Sequence, residues 1–251
     1  MAHESDERVL EFHLLGCLPW DRVWSLQQRL AFEAAGCPQP RIVVLCCEHP
    51  DEITIGRTGS RAHIRWTDAE LRHEQLSWRW VARGGGCILH APGQLCLYPI
   101  LSLERCAWSV GQYLGRLQAA LCATLADCGV QPIADERHRG VWGQSGLLAA
   151  LGVAVHNWVT CHGAFVNVNP AMARFAHVET VAPELTPGGQ KSFASCLLAE
   201  RRLPIRMTQV RSALVPNLAQ CFSCSRYHIQ SGHPLLARYR ESPSGPIARA
   251  S

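Results

Sequence analysis

The chain has 251 residues, enough to bury the core of one large domain. Its 47% hydrophobic and 18% charged content is ordinary for a globular protein and excludes a disordered or fibrous class. A net charge of +4 is too mild to point to nucleic acid as the main ligand, and it suits an acidic protein partner.

In chain order, residues 20–35 carry Val23, Leu26, Leu30 and Ala34 at helical spacing. Asp21 lies in the first turn, and Gly36-Cys37-Pro38 stops the helix. Residues 41–47 form a β-branched and apolar run that reads as a buried strand, broken by Glu48-His49-Pro50. Residues 53–55 resume extended structure. Thr67-Asp68-Ala69-Glu70 fits a capping box, so a short helix is expected over 67–74. Residues 78–82 and 95–100 read as strands on either side of a glycine-rich corner.

A long helix is expected over 110–128, with Ser109 as N-cap, Leu114, Leu117, Leu121 and Leu125 at helical spacing, and Gly129 as stop. Strands are expected over 141–142, 147–151, 153–159 and 164–169. A short helix follows over 170–175, with Pro170 in its first turn. Residues 181–190 read as a loop. The last helical segments are 192–200 and 207–222, with Pro216 expected to kink or split the second. From 223 onward the composition changes, and Ser242-Pro243-Ser244-Gly245-Pro246 favours turns and disorder. The chain therefore reads as one α/β domain over 1–222 with a flexible tail over 223–251.

The N-terminus is polar and acidic and lacks the basic-then-apolar pattern of a secretory signal. No run approaches the roughly 18 apolar residues of a membrane span. A cytoplasmic protein, without membrane association, is expected. Its 13 cysteines, odd in number and including the adjacent Cys46-Cys47, do not form a disulfide framework and read as reduced, mostly buried thiols.

Three ordered blocks carry the chemistry. The first is Gly56-Arg57. The second is Arg83-Gly84-Gly85-Gly86-Cys87-Ile88-Leu89-His90-Ala91-Pro92-Gly93-Gln94. Its glycines allow close backbone approach to a ligand, and its arginine offers a planar fork of donors. A cradle for a linear substrate is one reading, and a tight structural turn is the other. The third combines Ala150-Leu151-Gly152 with His162-Gly163-Ala164-Phe165-Val166-Asn167.

In this order and spacing the blocks resemble the octanoyltransferases of lipoate biosynthesis. Those show an Arg-Gly-Gly-x-x-Thr-Tyr-His-Gly-Pro-Gly-Gln block and a His-Gly-x-Ala-Leu-Asn block. The resemblance covers roughly residues 8–200 and implies a biotin/lipoate protein ligase-like α/β domain, a mixed sheet flanked by helices. It implies movement of an octanoyl group from acyl carrier protein to a lysine of a lipoyl domain, in 2-oxoacid dehydrogenases or the glycine cleavage protein. It implies no cofactor, and the chain is expected to be monomeric. It places substrate binding on Arg83, Gly84, Gly85, Gly86, Cys87, Ile88, Leu89 and His90, on Ala150, Leu151 and Gly152, and on Gly163, Ala164 and Phe165. Arg57, His162 and Asn167 join them as pocket residues. Arg83 would orient a carbonyl, a phosphopantetheine or an acidic partner.

The resemblance also implies a nucleophilic cysteine beside a lysine that lowers its pKa, a pairing that makes the reactive thiolate. The lysine position falls on Leu147. The cysteine position falls on Val181 by ungapped spacing, or on Thr186 counting back from Ser195. Neither partner is present. Three explanations stay open: a binding-competent pseudoenzyme, a relocated nucleophile, or direct transfer without a covalent intermediate. The relocated groups would be Cys87, Cys161 or Cys196, with Lys191 (the single lysine) or a histidine, His90 or His162. Buried inert thiols are the plain alternative for Cys87 and Cys161. Finally, Cys221, Cys224, His228 and His233 supply two thiols and two imidazoles for a tetrahedral zinc site. Their intervals are shorter than in most zinc fingers, so a helix end with incidental thiols is the other reading.

Overall fold

The computed structural model describes residues 8–135, 140–181 and 193–238. Two sheets share the chain. The larger has eight strands in the order β11-β1-β2-β6-β10-β9-β8-β7. These are β1 (Val9–Cys17), β2 (Arg41–Glu48), β6 (Gln94–Ile100), β7 (Ile133–Asp135), β8 (Gly140–Gly143), β9 (Gly146–His156), β10 (Val159–Asn167) and β11 (Arg226–Ser231). β1 runs parallel to both β2 and β11, and the remaining pairs are antiparallel, so the sheet is mixed. The smaller sheet has β3 (Glu52–Ile55) between β4 (Ser77–Trp80) and β5 (Cys87–His90).

Helices cover both faces of the large sheet. α3 (Val110–Asp127) and α5 (Met207–Cys221) pack together over a core that includes Leu10, Phe12, Leu97, Leu121 and Leu214. α1 (Trp20–Gly36) covers the other face, where Val23, Leu26 and Leu30 meet Leu45, Tyr98 and Phe165. The apolar stripe read from the sequence is the buried one, because only those spacings face the sheet. α3 starts where Ser109 accepts from the Gln112 amide in a capping box. α2 (Asp68–His73) starts at the same device, built by Thr67 and Glu70. A third core, around Ile53, Ile55, Leu71 and Phe175, lies on the small sheet. Among the described residues no helix is long and apolar enough to cross a membrane.

Six expectations differ. Residues 87–90, taken as part of a loop, form β5, whose four buried side chains pair with β3 in antiparallel register, Ile55 with Cys87 and Glu52 with His90. Residues 147–151 and 153–156 are one strand, β9, which runs through Gly152. Residues 193–195 are extended, and Ala194 bridges Leu147, so α4 (Leu197–Arg201) is shorter than the helix expected from 192. The tail expected from 223 instead adds β11 to the sheet, followed by α6 (Pro234–Arg238). Its polar side chains are exposed, so burial could not announce the strand, and parallel backbone pairing with β1 holds it. α5 continues through Pro216, because Leu214, Val215, Leu218 and Ala219 stay buried on both sides of it. Residues 172–177 form a 3-10 turn in place of the expected α-helix.

Candidate functional site

The glycine-rich block joins the two sheets, and Arg83 holds the junction. Its side chain turns inward and is 1% exposed. Nη1 donates to the carbonyls of Gly84 and Gly86 at 3.0 Å each, and Nη2 donates to the carbonyl and hydroxyl of Thr54 at 2.8 Å each. Burial pushes the guanidinium pKa down to about 10, which leaves it charged at neutral pH. Where a substrate contact was expected, the Nη1 and Nη2 groups of Arg83 turn to the chain's own backbone and to Thr54. Its planar fork supplies donors to backbone carbonyls of the turn, and the Gly86 carbonyl also accepts from the Gly56 amide at 3.0 Å. Arg57, by contrast, is exposed, and its amide donates to the Arg83 carbonyl.

From Thr54 a continuous polar chain crosses the site. Thr54 Oγ1 lies 3.0 Å from His90 Nε2, and His90 Nδ1 lies 3.0 Å from Gln94 Oε1. Gln94 Nε2 donates to the Leu89 carbonyl at 3.0 Å and to Asn167 Oδ1 at 2.9 Å, and Asn167 Nδ2 donates to the Ser195 carbonyl at 3.0 Å. These bonds fix both amide orientations. His90 therefore carries its hydrogen on Nδ1 and accepts from the Thr54 hydroxyl on Nε2. Burial lowers the His90 pKa and favours that neutral form.

Gln94 and Asn167 line a narrow crevice. The rest of its lining is Ile88, Leu89, Ala150 and Phe165 with Leu147, Phe175, Thr180 and Ala194. Leu147, at the implied lysine position, thus lies in one crevice with Thr180, the neighbour of Val181. Leu147 is buried and apolar, and Thr180 is half-buried. A Cβ on Gly86 would sit 2.4 Å from the Thr180 carbonyl, so only glycine lets the loop approach this segment. Thr186 and Lys191 lie outside the described residues. Gly163 meets the same constraint on the sheet, where a Cβ would lie 2.1 Å from the Leu97 carbonyl.

The proposed relocated thiols are not in the crevice lining. Cys87 is buried and donates to the Ser60 carbonyl at 3.4 Å, and burial raises its pKa. Burial pushes the Cys161 thiol up to about 11, and Cys196 is 2% exposed at the start of α4. His162 takes a left-handed backbone conformation, φ 56°, within β10. Its ring stacks on Trp24 at 4.7 Å, and its amide donates to Gln27. Burial, then the nearby Arg83, depresses its pKa to about 3. Its Nε2 and Gln27 Nε2 are buried without hydrogen-bond partners.

A second cluster lies on the α1 side and was not singled out from the sequence. Cys47 and Cys96 face each other across β2 and β6. His49 Nε2 lies 3.6 Å from Cys47 Sγ and 2.8 Å from the Tyr98 hydroxyl, and Cys96 Sγ lies 3.7 Å from His90 Nδ1. Burial opposes ionisation of Cys96, but Cys47 and the two imidazoles outweigh it and hold its pKa below the ordinary range, while burial raises Cys47. The available signal was the i, i+2 spacing of Gln94, Cys96 and Tyr98, which puts all three on one face of a strand.

The zinc set does not assemble. Cys224 donates to the Phe222 carbonyl at 3.7 Å, Cys221 is half-buried at the end of α5, and His228 is exposed on β11. The His233 ring instead packs against that of His13, with centroids 4.5 Å apart and planes tilted by 53°. Among the described residues no three metal-ligating side chains gather.

Residues 21–219 match the lipoyl protein ligase A/B catalytic domain. An octanoyltransferase of Synechococcus elongatus is 34% identical over 227 residues, covering 88% of this chain and 93% of the relative. Among solved structures, a lipoate-protein ligase A bound with ATP superposes with a TM-score of 0.64 at 14% identity, over 91% of this chain and 93% of that one. A bi-partite lipoate protein ligase from Thermoplasma acidophilum gives 0.62 at 14% identity, over 92% and 91%. The structural likeness establishes the fold, and with the sequence matches it closes the question of kinship: this chain belongs to the lipoyl protein ligase A/B catalytic-domain family.

Proposed function

We propose that this chain acts in the octanoyl-transfer step of protein lipoylation, engaging octanoyl-acyl carrier protein and a lipoyl domain without the usual cysteine–lysine dyad. The observation that carries this reading is the crevice lined by Leu147, Thr180, Gln94 and Asn167 at the junction of the implied binding loops. Relatives named octanoyltransferase support the reaction class. In a direct route the amine of the target lysine attacks the thioester carbonyl, and the carrier thiol leaves. That route needs positioning rather than a protein nucleophile. The Thr180 hydroxyl is a poor nucleophile, because the described residues of the crevice lining offer it no general base.

A second reading is a non-catalytic acyl- or lipoyl-domain-binding protein. It is favoured by a lining that, among the described residues, contains no thiol, amine or imidazole. Intact-protein mass after incubation with octanoyl-acyl carrier protein, followed by a lipoyl domain, separates the readings. An octanoylated lipoyl domain without an enzyme adduct supports direct transfer. An adduct on this chain that then moves to the lipoyl domain identifies a relocated nucleophile. Binding without product selects the non-catalytic role.

A further inference from the structure

β4 is the outer strand of the small sheet, and among the described residues no strand pairs with its far edge. The Val81 amide donates to the Ile55 carbonyl at 2.9 Å, and Ile55 is the register partner of Trp80. In a parallel ladder that pattern spends the backbone groups of Arg79 and Val81 on β3. It turns those of Trp78 and Trp80 to the open edge. Both tryptophans are exposed, Trp78 by 37% and Trp80 by 59%, with ring centroids 6.4 Å apart. The Arg61 guanidinium lies 5.9 Å from the Trp78 ring. Open edges are ordinarily guarded by charge. The one charge in β4, Arg79, turns to the opposite face, where Asp21 and Glu52 hold it. The edge therefore presents free backbone groups beside two large aromatic rings, a residue type enriched where proteins dock.

Resting on the octanoyl-transfer reading above, we propose that β4 is the docking edge for the acceptor lipoyl domain, which adds an extended segment beside Trp78 and Trp80. An open edge holds extended chain through its backbone, and alternate side chains of that chain then meet the rings. The flanking charge selects an acidic segment. Arg57, just past β3, and Arg72, in the last turn of α2, are exposed and form no ion pair among the described residues. β4 leads within three residues into Arg83 and the glycine-rich block, whose Gly84 amide donates to the Val153 carbonyl at 2.8 Å. A chain laid along β4 and running on past Trp80 reaches that block. A lysine side chain is short, so the acceptor's backbone must come this near. A carrier protein delivers its acyl group on a long pantetheine arm and needs no such edge.

The test measures binding of a lipoyl domain of a 2-oxoacid dehydrogenase by calorimetry. Wild type is compared with the double variant Trp78→Ser/Trp80→Ser, with Arg57→Glu, and with Trp158→Ser, an equally exposed tryptophan in the β9–β10 turn. Each is confirmed folded by circular dichroism. The double variant is expected to bind at least about 30-fold more weakly, as when anchoring aromatics are truncated. Arg57→Glu is expected to weaken binding about 5-fold with a flatter salt dependence, and Trp158→Ser to bind as wild type does. Hydrogen exchange on wild type alone is expected to slow at the Trp78 and Trp80 amides when the lipoyl domain is added. Equal binding by wild type and the double variant, or unchanged exchange at both amides, overturns the docking assignment while an octanoylated lipoyl domain in the mass measurement keeps the transfer reading. Tryptophan-dependent binding of octanoyl-acyl carrier protein in place of the lipoyl domain also overturns it. No lipoyl-domain binding by wild type, together with no octanoylated product, overturns the transfer reading with it.

Discussion

The crevice has two chemically different sets of lining residues. Gln94 and Asn167 are joined to each other and, through Leu89 and His90 of β5 and through Ser195, to two separate segments, with their hydrogen-bonding groups assigned. Leu147, Phe175 and Ala194 contribute packing and a backbone bridge. The polar set is over-determined by the fold, so it persists whether or not a substrate is present. The apolar set lies where kinship implies a charged lysine, and a charge there contributes nothing to the fold.

The largest blow to the polar set is Arg83→Ala. It removes a donor from each of the carbonyls of Thr54, Gly84 and Gly86, of which Gly86 keeps the Gly56 amide. Unmade hydrogen bonds of this kind cost about 1–3 kcal/mol each, so a loss on the order of 4 kcal/mol is expected in urea unfolding. Arg83→Lys restores the charge and not the fork, so it recovers only part of the loss. A loss below about 1 kcal/mol would mean that the junction does not depend on these bonds.

Leu147→Lys tests the apolar set. Among the described residues the crevice lining holds no carboxylate, and Leu147 is 3% exposed. An uncompensated ammonium there is expected to destabilise the fold by about 3 kcal/mol near neutral pH. Burial lowers the lysine pKa in the folded state, so the penalty is full below that folded value. It shrinks as pH rises toward the unfolded value of about 10.4. A variant as stable as wild type at every pH would reveal a partner for the charge and remove the contrast.

His162 stands behind the polar set and makes it acid-sensitive. Its folded pKa, about 3, is below the ordinary 6.5, so the unfolded chain takes up the proton first as pH falls. Its contribution is present above pH 6.5 and is lost between 6.5 and 3, with a slope of up to about 1.4 kcal/mol per pH unit. His162→Asn tolerates the left-handed backbone and removes the titration. Chemical denaturation from pH 7 to 4 is expected to show a shallower acid loss in the variant, and identical slopes would exclude His162 as the source.

Much of this was legible in residues. Periodicity located α1 and α3, and Thr67-x-x-Glu70 announced a cap that the fold uses. The family resemblance also pointed to Leu147 and to Val181 or Thr186 before any geometry. The inward turn of Arg83 was not legible, because its acceptors are backbone carbonyls, which no side-chain pattern encodes. β11 was hidden for a related reason: its six residues are all exposed, and parallel pairing with β1 across more than 200 positions leaves no local trace. Cys96 and His49 were passed over because their meeting depends on register between strands far apart in sequence.

The smallest effect belongs to Ser195, which touches both sets at once. Its hydroxyl lies 2.7 Å from that of Ser145, its amide donates to the Leu147 carbonyl at 2.9 Å, and its own carbonyl accepts from Asn167. Ser195→Ala removes only the hydroxyl pair. Ser145 is exposed, so water replaces the lost partner on that side. A loss of about 0.5–1 kcal/mol is expected in urea unfolding, with the backbone bridge intact. If the loss instead exceeds about 2 kcal/mol, the hydroxyl pair rather than the backbone holds residues 193–195 against Leu147. The two sets would then be coupled through side chains, and the apolar one would be less independent of the polar one than their bonding implies.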